Sequence, residues 1–183
     1  MRLPGALLAF PFDPKSFTGI ERYVKLAPMR WFFIDRLTLI EKGRRVSALK
    51  NVALGEDYLH DIYPGFPVLP NSLVIESMAQ AGGMLIGHVL DFRYPLILAK
   101  VASVTFNGFA RPGDTLEIEA VLQDEREGIF RVEGAVTIDG RPFASGRLIF
   151  ARYGGPVDRN ENFVFNRTLL SYLDINGVVG RDG

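Results

Sequence analysis

The sequence predicts an α+β domain in which a curved antiparallel sheet wraps around one long, hydrophobic central helix. Three observations predict it. First, between Asn71 and Asp91 the residues Leu73, Val74, Ile75, Met78, Ala79, Met84, Leu85, Ile86, Val89 and Leu90 cover most of a helix circumference, so that helix expects protein on nearly every side. Second, the chain after it reads as successive strands of alternating or β-branched character, separated by turn signals. Third, Gly82, Gly83 and Gly87 interrupt the helix. Each costs helix propensity, so they predict close approach of another backbone, as a strongly curved sheet requires.

In chain order, Asp13–Pro14 is a cap followed by proline at the first helical position. Phe17, Ile20, Tyr23, Val24 and Ala27 then recur at helical spacing until Pro28. At the start, MRLPGALLAFPFDP has a short apolar part that Pro11 and Pro14 interrupt, without a clear small-residue cleavage site, and reads as an extended arm of a cytoplasmic protein. Trp31–Ile40 reads as strand, with Asp35 and Arg36 as an ion pair or a solvated end. Glu41–Arg44 is a turn and Arg45–Val52 a second strand, which makes a hairpin. Gly55–Ile62 is a loop. Pro64, Pro67 and Pro70 keep the next segment extended, and Asn71 or Ser72 caps the central helix.

Leu98–Phe106 is the next strand, and Arg111–Pro112–Gly113–Asp114 a turn. Leu116, Ile118, Ala120 and Leu122 alternate with Thr115, Glu117, Glu119 and Val121 in the following strand. Asp124–Gly128 is a charged turn, Phe130–Ile138 a strand, Asp139–Gly140 a hairpin turn, and Phe143–Tyr153 the last strand. Gly128 and Gly134 are candidate bulge or bend sites. The organisation predicted is an arm and short helix over 1–29, the body over 30–153, and a polar extension over 154–183 that packs back through residues such as Phe163, Leu169 and Leu173.

Composition excludes several function classes. Twenty-one basic residues balance twenty-one acidic ones, so nucleic acid is not the expected partner. There is no cysteine, hence no disulfide or thiolate chemistry. His60 and His88, without a carboxylate cluster at ligand spacing, make no metal centre, and no cofactor is expected. No uncharged run of bilayer length is present, so no membrane span is expected. Within the apolar helix stands one carboxylate, Glu76. It reads either as a solvated residue near the helix start or as a functional acid in an apolar pocket. A single sheet has exposed edges, which a symmetric dimer would pair, placing ligands beside the central helix at the subunit junction.

Taken in order, Trp31-Phe32-Phe33-Ile34-Asp35-Arg36, Lys50-Asn51-Val52, Tyr63-Pro64-Gly65, Pro67-Val68-Leu69-Pro70, Ile75-Glu76-Ser77-Met78-Ala79-Gln80, Ala99-Lys100-Val101 and Arg111-Pro112-Gly113-Asp114 resemble the β-hydroxyacyl-acyl-carrier-protein dehydratases, which have the hotdog fold. The resemblance spans about Ile20 to Tyr153. It implies that Glu76 is the acid acting on the leaving hydroxyl, and that the main-chain N–H polarising the thioester carbonyl falls on Asn71, where the family usually has glycine. Ile62 and Gly65 fall in the same thioester region, and Tyr63, Pro70, Met78, Ala79 and Phe106 line the acyl tunnel. The implied substrate is a 3-hydroxyacyl chain on acyl carrier protein or coenzyme A, the product a trans-2-enoyl thioester. The implied assembly is a homodimer or a trimer of dimers, with each site combining a histidine of one subunit and the acid of the other.

The sequence departs from the family at the histidine, whose position is held by Ile62. His60 lies two residues upstream, roughly 6 to 7 Å away in extended chain, whereas proton transfer requires contact near about 3 Å or one bridging water. Three functions follow: a dehydratase with His60 as base, a silent acyl-thioester-binding subunit whose heteromeric partner supplies the histidine, and a hotdog thioesterase using Glu76 to activate water.

Overall fold

The computed structural model describes residues 32–157 and Leu173. The predicted arm, the helix after Asp13 and most of the C-terminal extension lie outside the described residues. Six strands form one antiparallel sheet: β1 (Arg36–Glu41), β2 (Arg45–Asn51), β3 (Leu96–Phe106), β4 (Thr115–Arg126), β5 (Ile129–Ile138) and β6 (Arg141–Arg152). Their spatial order is β1-β2-β4-β5-β6-β3. Two helices are described, the short α1 (Tyr58–Asp61) and the long α2 (Asn71–Val89).

The helix and the antiparallel sheet match the α+β reading, but the expected curvature does not. The sheet is open: β1 and β3 are its two edges, and no pairing joins them to close it around the helix. Instead α2 lies on one face, against β2, β3, β4 and β5. The glycines explain how a helix so apolar is buried without a curled sheet. A Cβ on Gly82 would stand 3.2 Å from Phe150 and Val132, and one on Gly134 of β5 would stand 2.9 Å from Met78 Sδ. Helix and sheet therefore approach through missing side chains on both sides, rather than by the sheet wrapping round. Residues outside the sheet complete the cover, since Leu59, Leu69, Phe92 and Leu173 belong to the same buried cluster as Val74, Met78 and Leu85.

Alternation sets which face of each strand is buried. Leu116, Ile118 and Ala120 of β4 and Phe130, Val132 and Val136 of β5 point into the core, and Glu117, Arg131 and Glu133 point away. Asp139 and Gly140 both have positive φ, 51° and 71°, the geometry of a tight hairpin turn between β5 and β6. Gly128 forms the β4–β5 turn with φ 80°, and Gly134 is a packing site rather than a bulge: the register shifts of that hairpin region fall at Leu122/Asp124 and Val136/Thr137.

Three further expectations need correction. The stretch expected as a loop before Ile62 contains α1. Neither Asn71 nor Ser72 caps α2: the cap position is Pro70, with no side-chain cap bond, and Asn71 is the first helical residue. Asp35 is not paired with Arg36. Its carboxylate accepts the Asn51 backbone N–H at 2.6 Å and the Asn51 Nδ2–H at 3.0 Å, which stops β1 at Arg36 and ties it to the end of β2.

Candidate active site

The segment carrying His60 and Ile62 is held from below by a buried cation. Lys50, on β2, is 3% exposed. Its ammonium donates to the Glu56 carboxylate and to the Asn51 carbonyl at 2.6 Å, and Asp35 lies 3.8 Å away. Glu56 also accepts the Ala53 N–H at 3.2 Å, so one carboxylate closes the turn that leads into α1. Burial, followed by Glu56, pushes the Tyr58 phenol above its ordinary range. The Tyr58 ring packs against Phe33 with centroids 5.7 Å apart.

His60 sits on α1 and is exposed; its Nε2 lies 2.8 Å from the Leu54 carbonyl oxygen. A carbonyl only accepts, so Nε2 carries its proton toward Leu54. Ile62 follows α1 directly and is 49% exposed. Beyond it an aromatic cluster stands at the surface: Tyr63 and Phe66 both meet Phe109 edge-on, at 6.5 and 6.0 Å, and the Arg111 guanidinium lies 5.4 Å over Phe66. Gly65 has φ +76°, and the turn it permits is closed by Phe66 N–H donating to the Tyr63 carbonyl at 2.9 Å. Leu69 N–H donates to the Ala110 carbonyl at 2.8 Å, which delivers Pro70 to the start of α2 in a buried position. Asn71 Nδ2 reaches the Gly108 carbonyl at 3.5 Å, so this side chain leans on the loop after β3.

Glu76 lies in the second turn of α2, half-buried. Gln80, one turn on, donates Nε2–H to Glu76 Oε1 at 2.9 Å. Gln80 Oε1 in turn accepts the Phe33 backbone N–H at 2.8 Å. Met78 and Ala79 face the core, Met78 directly beneath Gly134, and Phe106 is half-buried at the end of β3 with its ring 6.3 Å from Phe143. The arrangement thus brings Glu76, Gln80 and the Phe33 backbone together. It groups Tyr63 with Phe66 and Phe109, and Asn71 with Gly108. Among the described residues no hydrogen bond joins His60 to Glu76.

Sequence reasoning quoted Gln80 only as part of a motif and did not find its contact with Glu76. The signal was their i, i+4 spacing on a helix, which puts two side chains on one face. The Phe33 contact had no such signal, since it joins residues 47 apart. The sequence shows Lys50 only as part of the strand Arg45–Val52, because its partner Glu56 arrives from a segment outside that strand. Among the described residues no three His, Asp or Glu side chains converge to hold a metal ion. An open cavity of about 520 Å³ lies on the sheet face away from α2, between Ser103, Glu119, Glu133 and Arg147. None of the candidate residues lines it.

One long helix on an antiparallel sheet, with a carboxylate near the helix start, defines a protein of the hotdog class. Comparison with known proteins gives the family. Residues 26–147 match the FabA-like domain, and the chain belongs to the FabZ/FabA-like hotdog superfamily. It is 36% identical over 130 residues to the 3-hydroxyacyl-[acyl-carrier-protein] dehydratase FabZ of Thermomicrobium roseum, covering 69% of this chain and 87% of that one. It is 32% identical over 136 residues to the same enzyme of Thiobacillus denitrificans, covering 71% and 94%. Among solved structures, the dehydratase heterocomplex ApeI:P from Xenorhabdus doucetiae superposes with a TM-score of 0.59 at 22% identity, over 70% of this chain and 86% of that one. Smu.793 from Streptococcus mutans, bound to acetyl CoA, gives 0.54 at 18%, over 73% and 98%. These two likenesses speak for the fold. The family engages in acyl-thioester chemistry. No described helix is long and apolar enough to cross a membrane.

Proposed function

We propose that this chain is the acid-bearing subunit of a (3R)-3-hydroxyacyl-thioester dehydratase whose histidine comes from a different hotdog chain. One observation carries this reading: the acid is present and supported, whereas the position of the base is an isoleucine. Glu76 is held by Gln80, Ile62 cannot move a proton, and His60 turns its Nε2–H to the Leu54 carbonyl. In this reading the partner's histidine takes the α-proton of the substrate. Glu76 protonates the departing 3-hydroxyl, and the products are a trans-2-enoyl thioester and water. The first N–H groups of α2, at Asn71 and Ser72, have no partner within the helix by its geometry, and they polarise the thioester carbonyl.

The substrate is carried on acyl carrier protein or coenzyme A, in the cytoplasm. Unlike chains assemble in the X. doucetiae dehydratase heterocomplex, which shares this fold. The assembly expected here is a mixed one of the same kind; a homodimer or trimer of dimers built from this chain alone would carry the acid at every site and no base.

The test is to incubate the purified chain with 3-hydroxyacyl and trans-2-enoyl thioesters and follow them by mass spectrometry, with binding measured in parallel. The proposal expects binding without interconversion. Interconversion abolished by His60→Ala would establish a self-sufficient dehydratase. Accumulation of free acid, lost in Glu76→Ala, would establish a thioesterase. Either result overturns it.

A further inference from the structure

One peptide step in the loop after β3 has the chemistry to modify itself. The asparagines among the described residues are Asn51, Asn71 and Asn107. For an asparagine side chain to close on the next backbone nitrogen, that nitrogen must be untied and its residue must not obstruct the ring. Asn51 fails on both counts: the branched, buried Val52 follows it, and the Val52 N–H is held by the Asp114 carbonyl at 2.9 Å. Asn71 is fixed as the first residue of α2, with Ser72 after it. Asn107 meets both conditions. It is exposed and followed by exposed Gly108, whose φ of +139° is open to glycine and strained for other residues. A Cβ there would meet nothing within 4 Å, so the step stands in open space. Among the described residues the Gly108 N–H has no hydrogen-bond partner. Asn107 Nδ2 donates to the Pro142 carbonyl at 3.1 Å, which leaves Oδ1, where charge collects when Cγ is attacked, to water.

We propose that Asn107–Gly108 is a self-modifying site, at which the Gly108 backbone nitrogen closes on Asn107 Cγ and the carboxamide becomes a carboxylate. Nitrogen and Cγ are joined through only three carbons, so their meeting is intramolecular. The Gly108 N–H gives its proton to water or hydroxide, and the nitrogen electron pair forms the bond to Cγ. The Cγ–Nδ2 bond then breaks, and Nδ2 takes up a proton and leaves as ammonia. Water opens the five-membered imide at either carbonyl, to aspartate or isoaspartate. One water is consumed and one ammonia released, with nothing oxidised or reduced. The product undoes a contact: a carboxylate has no proton to donate to the Pro142 carbonyl, so the loop loses that tie to β6. The Gly108 carbonyl is the one that Asn71 Nδ2 reaches at 3.5 Å, so the change arises beside the start of α2. The added negative charge opposes the polarising of a thioester carbonyl by the N–H groups there, a consequence that rests on the function proposed above.

The modification is tested without turnover. The folded chain is held at neutral and at mildly alkaline pH, and its peptides are mapped by mass spectrometry. The peptide with Asn107 should gain the mass difference between OH and NH₂, faster at the higher pH, with isoaspartate among the products. Asn51 and Asn71 should stay unchanged. Mapping separates this step from Asn176–Gly177, which lies outside the described residues. Gly108→Ala should slow the conversion about tenfold or more. So should Asn107→Gln, which keeps glycine at the strained φ and guards against a misfolded loop. An Asn107 that stays intact in the folded chain, while the same peptide of the urea-unfolded chain converts, overturns the proposal. For the consequence, Asn107→Asp stands in for the product. Its residue-107 amide, which in the parent donates to the Phe143 carbonyl at 2.8 Å, should exchange hydrogen faster. In an assembly that turns over, kcat/KM should fall about threefold or more, and the loss should shrink as salt is added. Unchanged exchange and unchanged kcat/KM overturn the consequence for the site. Absence of turnover in every assembly defeats the dehydratase reading and leaves the modification standing.

Discussion

Replacing Ile62 by histidine is the perturbation whose outcome the structure fixes most narrowly. Ile62 follows α1 with φ −84° and ψ −41°, ordinary helical backbone that any L residue adopts, and half of it is already in water. Ile62→His therefore loses little burial and introduces no strain, and stability should stay within about 0.5 kcal/mol of the parent. The gain lies in chemistry. A positioned general base contributes about 10²- to 10⁴-fold, which at about 1.36 kcal/mol per tenfold is roughly 3 to 5 kcal/mol off the barrier. Glu76 and its hydrogen bond from Gln80 are unchanged, so under the proposed dehydratase mechanism the substitution should supply the absent base.

The assay is interconversion of 3-hydroxyacyl and enoyl thioesters by the single variant, with two further variants in the same background. Adding His60→Ala should leave the new activity in place, and adding Glu76→Gln should remove it. A folded Ile62→His protein that binds the thioester and turns it over no more than tenfold faster than the parent would show that position 62 is not where the base belongs. So would a gain that disappears with His60→Ala.

Other predictions concern the frame that holds the site. Lys50→Met strips the partner from a mostly buried Glu56 and should cost about 3 kcal/mol by denaturant unfolding; Lys50→Met with Glu56→Gln should recover part of it. Leu173 is 1% exposed within the core cluster although it lies past the family match, which ends at 147. Leu173→Ala should accordingly cost about 2 to 5 kcal/mol, the range for emptying a buried leucine site, and a neutral result would separate the extension from the core. Gly134→Ala drives a Cβ to 2.9 Å from Met78 Sδ and should cost about 1 to 3 kcal/mol, with Met78→Ala easing the clash when the two are combined.

The pH dependence follows from His88. Burial, with Lys42 adding, holds its imidazole below the ordinary histidine range, while Asp91 opposes the shift. The unfolded chain then binds the proton more readily than the fold does. Stability from this group is fully present above about pH 6.5 and declines as the pH falls below it. His88→Gln should flatten the melting temperature over that interval, and an unchanged slope would show that another group is responsible.

What was legible in the sequence was whatever depends on local order. The central helix shows in its apolar run, the β5–β6 turn in Asp139–Gly140, and the alternation of β4 in Leu116, Ile118 and Ala120. Glycine on the helix predicted close approach, and Gly82 against Phe150 and Val132 shows it. What the glycines could not convey was how that approach is made. Gly134 lies on the sheet side of the same contact, so the two surfaces meet closely without the curling inferred from the helix alone. The cap of α2 is not legible in the sequence: Asn71 is a good capping residue in isolation, yet the buried Pro70, pinned through the Leu69–Ala110 contact, already occupies that position. Contacts between residues far apart in sequence, such as Phe33 with Gln80, leave no trace in spacing.

In the proposed dehydratase the site is assembled from two chains, this one bringing Glu76 and another bringing the histidine. The most direct measurement mixes two variants of this protein. One is the unaltered chain, with the acid and no base; the other carries both Ile62→His and Glu76→Gln, with a base and no acid. Each is assayed alone and after co-refolding, on a 3-hydroxyacyl thioester. Neither should turn over alone, and the mixture should, with a rate following the fraction of mixed assemblies. A silent mixture, beside an active Ile62→His single variant, would place base and acid in the same chain and contradict it.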